Sequence, residues 1–242
     1  MKELKIRFES FEMKPSGFVR VSNILRHMQQ VARDDLFEHG ISYQDLRDRN
    51  MAFVVSRMSL RFLRPVPGEK PLRLYTAPGE VRGAAFPRYF TLSDERGSLM
   101  VATSQWALLD FEKRCLLRPN ALPSPIPAEE DPTEGFSCER LARPKDAFPT
   151  VCDERRVYLS LLDQNEHLNN CHYADLALDL FPDNTCEVRE MHINFRKEVR
   201  LGELILLEGF EEGESRLVCG TVGEGEEVSF LCKIDYFEDE HV

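Results

Sequence analysis

The sequence of 242 residues lacks any apolar run that approaches the roughly 18 residues needed to cross a bilayer as a helix. Its first residues, 1–8, alternate charged and apolar side chains, so we expect no secretory signal. Basic residues are fewer than acidic ones: the sequence has 31 Lys and Arg and 42 Asp and Glu, so its net charge is −11. Nucleic acids and anionic membranes attract basic surfaces, and we therefore expect neither as a partner.

The seven cysteines are odd in number, scattered along the chain and without a Cys-x-x-Cys pair. This pattern predicts neither a disulfide framework nor a zinc site, and we expect no bound metal. We expect a protein of the reducing cytoplasm, in which the cysteines are mostly small core residues. Hydrophobic residues make up 42% of the chain, which is enough to bury a core and excludes a disordered protein.

Seven of the fourteen prolines lie between Pro119 and Pro149. Proline lacks the N–H that a sheet ladder needs and stiffens an extended chain, so 119–149 is predicted to be a surface linker. The linker separates an N-terminal half, 1–118, from a C-terminal half, 150–242.

Each half repeats one order of elements, namely a strand, a helix and four further strands. The first half is predicted to contain a strand at 4–11, a helix capped by Ser22, strands at 52–63, 70–81, 85–92 and 99–111, and a hairpin turn at 94–97. The second half is predicted to contain a strand at 155–161, a helix at 168–181, strands at 186–199, 203–209, 215–222 and 228–237, and turns at 211–213 and 223–225. The letters of 58–66 also resemble those of 191–199 at an offset of 133, which indicates a duplication.

A long antiparallel sheet can bury its apolar face by wrapping around the single helix of its unit. We therefore predict an α+β protein with the double hot-dog fold, two tandem copies of such a sheet around a central helix. Two copies side by side can join their sheets and cover edges that would otherwise be exposed.

A group of polar residues, 163–170, lies between the first strand and the helix of the second half. If this segment is extended, Asp163, Asn165 and His167 alternate and point the same way. A helix that begins near Asn169 would aim free N–H groups at the same place. A carboxylate or imidazole can activate water, and amide groups can stabilise an oxyanion, so these residues suit acyl hydrolysis. Ordinary capping of the helix explains the same residues, and the pattern alone leaves both interpretations open.

The segment Asp163-Gln-Asn-Glu-His-Leu-Asn-Asn170 resembles the Asp-x-Asn-x-His-x-Asn-Asn motif of acyl-acyl carrier protein thioesterases, double hot-dog enzymes of fatty-acid synthesis in bacteria and plastids. Downstream, 194–199 resembles the family's aromatic-Arg-basic-Glu stretch, whose Glu is a catalytic carboxylate. The resemblance implies hydrolysis of fatty acyl thioesters of acyl carrier protein (ACP). It also implies a set of site residues, which comprises catalytic Asp163, Asn165, His167 and Glu198 and substrate-binding Asn169 and Asn170.

In this interpretation Asp163 and His167 polarise or deprotonate water, and Asn165 positions the water or the thioester carbonyl. Glu198 supports the charge network. Several plant members have Cys directly after this Glu, but here the residue is Val199, so we expect water rather than a thiol as the nucleophile. No cofactor is expected, because a thioester is already activated.

The first half has Pro65 in place of the catalytic Glu and no Asp, His or Asn at the key positions of its loop, so one active site per chain is expected. That half is free to line an acyl tunnel, and the candidate tunnel residues are Phe53, Val55 and Met58.

An acidic carrier needs a local basic surface on this acidic chain. The candidate docking residues are Arg196, Lys197 and Arg200, which flank the catalytic Glu. The protein is expected to be a monomer or a homodimer.

Three alternatives keep the same fold. An acyl-CoA thioesterase would use the same residues with another carrier. A hot-dog dehydratase places His and a carboxylate across two halves, which does not match Asp-x-Asn-x-His here. A noncatalytic acyl-thioester-binding module would not need the intact acid–base residues.

Overall fold

The computed structural model describes residues 1–182, 186–223 and 227–238, so residues 224 and 225 of one predicted turn lie outside it. The first half contains β1 (Lys2–Ile6), α1 (Val21–Glu38), α2 (Tyr43–Asp48), β2 (Met51–Phe62), β3 (Leu72–Pro78), β4 (Ala85–Asp94), β5 (Gly97–Asp110) and β6 (Cys115–Leu116). The second half contains β7 (Val151–Arg156), α3 (His172–Leu180), β8 (Val188–Phe195), β9 (Leu204–Glu212), β10 (Ser215–Val222) and β11 (Glu227–Tyr236). No helix of the described part is long and apolar enough to span a membrane.

One antiparallel sheet contains all of these strands, in the order β1-β3-β4-β5-β2-β8-β11-β10-β9-β7, with β6 beside β5. Each half supplies one side of the sheet, and the halves meet where β2 pairs with β8. In this seam Ser59 lies opposite His192, its own counterpart at the offset of 133, and the two side chains share a hydrogen bond of 2.8 Å. The two halves are therefore related by an approximate two-fold axis at this pair, as duplication predicts.

The main core lies between the sheet and the helices α1 and α3, which confirms the double hot-dog fold. On α1, Leu25, Met28 and Val31 are almost completely buried at helical spacing. Burying each such side chain contributes about 1.5–3 kcal/mol. The inward side of the curved sheet is held to the helices by this apolar contact.

Residues 119–149, all of them described, contain no strand and only a short 3-10 turn, Pro119–Ala121. They cross the outer face of the sheet, where Asn194 holds them. Its Oδ1 accepts the Leu141 N–H at 3.0 Å and its Nδ2 donates to the Glu139 carbonyl at 2.9 Å. Leu141 then packs into a second apolar cluster with Phe210 and Leu217, so this segment covers the second half from outside.

The predicted cap at Ser22 is wrong, because α1 begins at Val21 and Ser22 is buried. The Val19 N–H binds the Val66 carbonyl at 3.0 Å, which keeps the chain extended up to Arg20. Arg20 occupies the N-cap position instead, and its side chain does not cap the helix but donates to the Phe11 carbonyl at 2.8 Å.

The helix α3 begins at His172, later than predicted. The preceding residues are held in extended contacts, with Leu168 N–H bound to the Val199 carbonyl at 2.8 Å and Asn169 N–H bound to the Leu161 carbonyl at 2.9 Å. These bonds delay the start of the helix.

The short helix α2 was not predicted. Ser42 and Asp45 form a capping box, in which the Asp45 N–H donates to Ser42 Oγ at 3.0 Å and the Ser42 N–H donates to the Asp45 carboxylate at 3.1 Å. The first strand of each half is shorter than its apolar pattern, and a 3-10 turn follows it at Ser10–Glu12 or Leu159–Leu161. These two turns lead into corresponding loops.

Candidate active site

The predicted catalytic motif forms a tight loop, here called the 162–168 loop, whose ends pair at Leu162 and Leu168. The Asp163 N–H donates to the His167 carbonyl at 2.8 Å. Glu166 adopts a φ of 63°, a left-handed conformation that is uncommon outside glycine. The chain therefore turns sharply within the motif and does not run extended as the alternation assumed.

Asp163 directs its carboxylate to donors of its own loop. Its Oδ1 accepts the backbone N–H of Asn165 at 2.8 Å and that of His167 at 3.2 Å. Its Oδ2 accepts the Asn165 side-chain amide at 3.3 Å. Asp163 fixes the shape of the loop through these bonds, as Asp does in turns.

His167 meets Glu198, which follows β8. The two segments are joined by the bond between Leu168 and Val199, and this brings the imidazole Nε2 to 3.5 Å from a Glu198 carboxylate oxygen. Both side chains remain partly exposed, at 29% and 44%. The other Glu198 oxygen accepts a hydrogen bond from Arg200 at 2.9 Å. The structure thus brings together an acid–base pair from two separate motifs.

A cavity of about 910 Å³ opens beside this pair. Asn165, His167 and Glu198 contribute to its wall, whereas Asp163 does not. The first half supplies its apolar wall, which includes Leu36, Ile41, Leu46, Phe53, Val81, Phe86 and Trp106. Its size is in the range of small-molecule sites, which is about 300–1,000 Å³.

The substrate-binding residues predicted from sequence lie in different places. Phe53 lines the cavity and packs edge to face on Phe86 at 5.1 Å. Val55 and Met58 belong to the buried main core, and the pairing of β2 with β5 shifts register just after Val55. Such a bulge changes which side chains face the cavity along a strand.

Asn169 and Asn170 are outside the cavity wall, as is all of α3. The Asn169 Oδ1 accepts the Cys171 N–H at 3.1 Å, so this side chain caps the turn before the helix. We expected the free N–H groups at the start of this helix to point into the cavity. Among the described residues, the start of α3 does not line the cavity, so this expectation is wrong.

Five exposed arginines surround the cavity opening and are called the basic rim: Arg33, Arg47, Arg114, Arg196 and Arg200. Two of them are engaged, Arg196 with the Leu141 carbonyl at 2.8 Å and Arg200 with Glu198. Lys197 also lines the cavity and pairs with Glu227.

The other three rim arginines come from the first half and were missed by sequence reasoning. Arg33, Arg47 and Arg114 have no acidic partner in the described ranges, and their charges are free for an anion. The guanidinium groups of Arg33 and Arg47 lie over the ring of Tyr43, at 5.7 and 5.9 Å from its centroid.

Arg88 lines the cavity as one member of a buried ion pair that was also missed. Arg88 donates to Asp35 at 2.8 Å and to Thr76 Oγ1 at 3.2 Å. Asp35 is fully buried and Arg88 is 5% exposed. Burial lowers the pKa of the Arg88 guanidinium, and the contact with Asp35 opposes this shift.

Among the residues that the structure describes, one group has the side chains and spacing to hold a metal, namely Glu190, His192 and Asp235 on the outer face of the sheet. Arg61 already donates to Glu190 at 2.8 Å, and His192 Nε2 lies 3.2 Å from the same carboxylate. Arg61 and His192 therefore already bind the Glu190 carboxylate, and we assign no metal to these three residues.

The first half contains a copy of the 162–168 loop at 13–19, with the same backbone bonds. Met13 pairs with Val19, and Lys14 N–H binds the Phe18 carbonyl at 2.8 Å. Gly17, with a φ of 82°, stands where Glu166 has its positive φ. The side chains differ, because Lys14 and Ser16 both bind Glu187, at 2.6 and 3.1 Å.

Comparisons with known proteins agree with this architecture. A family model described as the acyl-ACP thioesterase N-terminal domain matches residues 1–121, and one described as the C-terminal domain matches 150–236. An acyl-ACP thioesterase from Bacteroides thetaiotaomicron is 20% identical, with a TM-score of 0.85 over 98% of this chain and 97% of that one. A 12:0-ACP thioesterase from Umbellularia californica is 17% identical, with a TM-score of 0.85 over 98% and 96%. A search of curated protein sequences found no match.

Proposed function

The chain belongs to the acyl-ACP thioesterase family and hydrolyses fatty acyl thioesters of ACP, and we propose that His167 and Glu198 activate the attacking water. The observation that carries this proposal is the 3.5 Å contact between the two side chains at the wall of an apolar cavity. A water molecule held by both groups would face the thioester carbonyl of an acyl chain in that cavity.

The reaction uses the His167–Glu198 pair as base and then as acid. As the water oxygen attacks the carbonyl carbon, the pair takes its proton, and Glu198 stabilises the imidazolium. Asn165 faces the same space and positions the water or the carbonyl. Collapse of the tetrahedral intermediate breaks the C–S bond, the thiol leaves with the proton from His167, and the free fatty acid remains.

We propose a role for Asp163 that differs from the one expected from the motif. Its carboxylate already accepts three hydrogen bonds from the 162–168 loop, and it does not line the cavity. We therefore assign it as a positioning residue, which holds Asn165 and His167, and not as the group that activates water.

Water remains the nucleophile in this proposal. Val199 is fully buried, and no cysteine lines the cavity within the described residues. A cysteine acyl-enzyme would need a thiol near the carbonyl, and the absence of cysteine from the described cavity wall supports water as the nucleophile.

The acyl chain lies in the cavity against the apolar wall that the first half supplies. Phe53 contacts it directly, whereas Val55 and Met58 support that wall from the core. In this arrangement 1–118 is the tunnel unit, 150–242 is the catalytic unit, and 119–149 links them. Asn169 contributes by holding the turn before α3.

ACP docks on the basic rim in this proposal. Arg196 and Arg200 form its second-half side with Lys197 beside them, and the three arginines without an acidic partner among the described residues form its first-half side. An acidic carrier bearing a phosphodiester arm matches this local positive charge on a chain of net charge −11. The catalytic side chains all come from one chain, so a monomer suffices, and the seven free thiols suit a reducing compartment such as the cytoplasm.

A hydrolysis panel tests the proposal, with acyl-ACP, acyl-CoA and acyl-pantetheine thioesters of increasing chain length. We expect thiol release from acyl-ACP and its loss in His167→Ala. Faster turnover of CoA esters than of ACP esters would identify an acyl-CoA thioesterase. Saturable binding without thiol release would identify a noncatalytic module.

A further inference from the structure

Tyr43 joins the two halves of the chain at the cavity. It is the first residue of α2, and its hydroxyl donates to the Oδ1 of Asn165 at 2.7 Å. Both side chains are half-buried and line the cavity. The catalytically inactive half therefore reaches into the site through one hydroxyl group.

The hydrogen bonds of Asn165 determine which way its amide points. A carboxylate only accepts hydrogen bonds, so the amide nitrogen must face Asp163, to which it donates at 3.3 Å. The amide oxygen must then face Tyr43, whose hydroxyl donates to it. One N–H of the Asn165 amide is left for a ligand in the cavity.

We infer that Tyr43 is a positioning residue, which holds Asn165 so that an amide N–H and not the amide oxygen faces the thioester carbonyl. This inference rests on the proposed function, and it assigns Asn165 to the carbonyl oxygen instead of the water. The N–H donates to the oxygen as negative charge develops on it during attack. Donors aimed at such an oxyanion are worth about 10²–10³ in turnover.

The first half holds the Tyr43 ring in place. Arg33 and Arg47 lie over the ring, and the capping box of Ser42 and Asp45 fixes the start of α2. The hydroxyl is therefore presented from a supported position and not from a free side chain. Without it, the Asn165 oxygen loses its donor and the amide can rotate about its last torsion.

A double-mutant cycle tests this coupling with Tyr43→Phe, Asn165→Ala and the double variant. The substrate is a neutral acyl-pantetheine thioester, so that carrier docking does not contribute. We expect Tyr43→Phe to lower kcat about tenfold with little change in KM, and Asn165→Ala to lower it about 10²-fold. In the Asn165→Ala background the Tyr43 change should cost less than about twofold, since coupled residues are not additive.

Tyr75→Phe is the matched control, because it removes a hydroxyl from β3 of the same half outside the cavity wall. It should leave kcat unchanged. An equal loss from Tyr43→Phe in both backgrounds would mean that Tyr43 acts on the shape of the cavity, and it would overturn the inference. No loss in either background would overturn it as well.

A second measurement does not depend on turnover. The side-chain amide resonances of Asn165 in a ¹⁵N NMR spectrum can be assigned by their absence in Asn165→Ala. We expect Tyr43→Phe to shift them and Tyr75→Phe to leave them in place; unshifted resonances would refute the contact. A wild-type protein that hydrolyses no thioester would instead refute the proposed function, whatever the spectrum shows.

Discussion

Charge reversal at the basic rim tests how the enzyme recognises its carrier, and Arg114→Glu is the cleanest change. Arg114 is exposed at the cavity opening, has no acidic partner in the described part of the chain, and does not contact Tyr43. Arg200→Glu would place a second carboxylate beside Glu198, and Lys197→Glu would break the pair with Glu227. A change in KM from either of those variants could therefore come from catalysis or stability as well as from docking.

The expected size follows from the exposure of Arg114. Two unit charges about 4 Å apart in water interact by about 1 kcal/mol, and exposed pairs measure about 0.2–1 kcal/mol. Reversal replaces an attraction with a repulsion of similar size, so the change is about 0.4–2 kcal/mol. Since 1.4 kcal/mol corresponds to a factor of ten, KM for acyl-ACP should rise about 2- to 30-fold.

Steady-state kinetics on acyl-ACP and on a neutral acyl-pantetheine thioester with the same acyl chain measure this effect. KM should rise for acyl-ACP alone, and added salt should shrink the difference between wild type and variant, because the screening length is about 8 Å at physiological ionic strength. Arg73→Glu is the control, an exposed arginine on β3 outside the cavity wall. Equal changes for both substrates, or the same change in the control, would refute docking at the rim.

The remaining predictions concern the acid–base pair, the thiols and the buried ion pair. His167→Ala and Glu198→Gln should each lower kcat by about 10²-fold or more in folded protein, and near-normal turnover would remove that residue from the mechanism. Mass spectrometry of quenched reactions should find no acylated protein. Burial raises the pKa of the Cys138 and Cys219 thiols to about 11. Alkylation near neutral pH should therefore label the exposed thiols first, which peptide mapping would show, and the labelled protein should keep its activity. Arg88→Met should lower the free energy of unfolding by about 3 kcal/mol in denaturant titrations, because it removes the hydrogen-bonded partner of the buried Asp35 and leaves only the Met1 ammonium at 3.7 Å and His39 at 4.0 Å; a loss under about 1 kcal/mol would contradict this.

The two repeated units and the joining of their sheets could be predicted from sequence because of the duplication. Two copies with the same strand order have few ways to join, and the matching letters around Ser59 and His192 lie at the seam itself. The meeting of the motif loop with Glu198 is a different case. No periodicity indicates that Leu168 pairs with Val199, so this contact was accessible only through the resemblance to a family.

Other parts of the site were missed for identifiable reasons. The alternation of Asp163, Asn165 and His167 assumed an extended chain, although Gly17 at the corresponding place in the first half is a signal for a left-handed turn. The helix α2 spans six residues, which is too short for hydrophobic periodicity to reveal, and Tyr43 was missed with it. Its capping box was the available signal.

Arg88 shares the alternation of Phe86 and Phe90 on β4, so the pattern places it on the inward side of the strand. A charge at such a position requires a partner, because an unpaired buried charge is strongly unfavourable. The partner, Asp35, comes from α1 of the same half. Which residue pairs with Arg88 depends on how the helix packs on the strand. The hydrophobic pattern of neither segment predicts it.

The 13–19 loop supports the expectation that this duplicated fold has one active site. Its backbone bonds repeat those of the 162–168 loop, so the scaffold does not distinguish the halves. Lys14 and Ser16 bind the buried Glu187, and Pro65 stands where Glu198 would be, so this copy has neither a free amide donor nor a carboxylate for a histidine. We therefore propose that side chains on a common backbone separate catalysis from support, with the first half acting on the reaction through Tyr43 and the cavity wall.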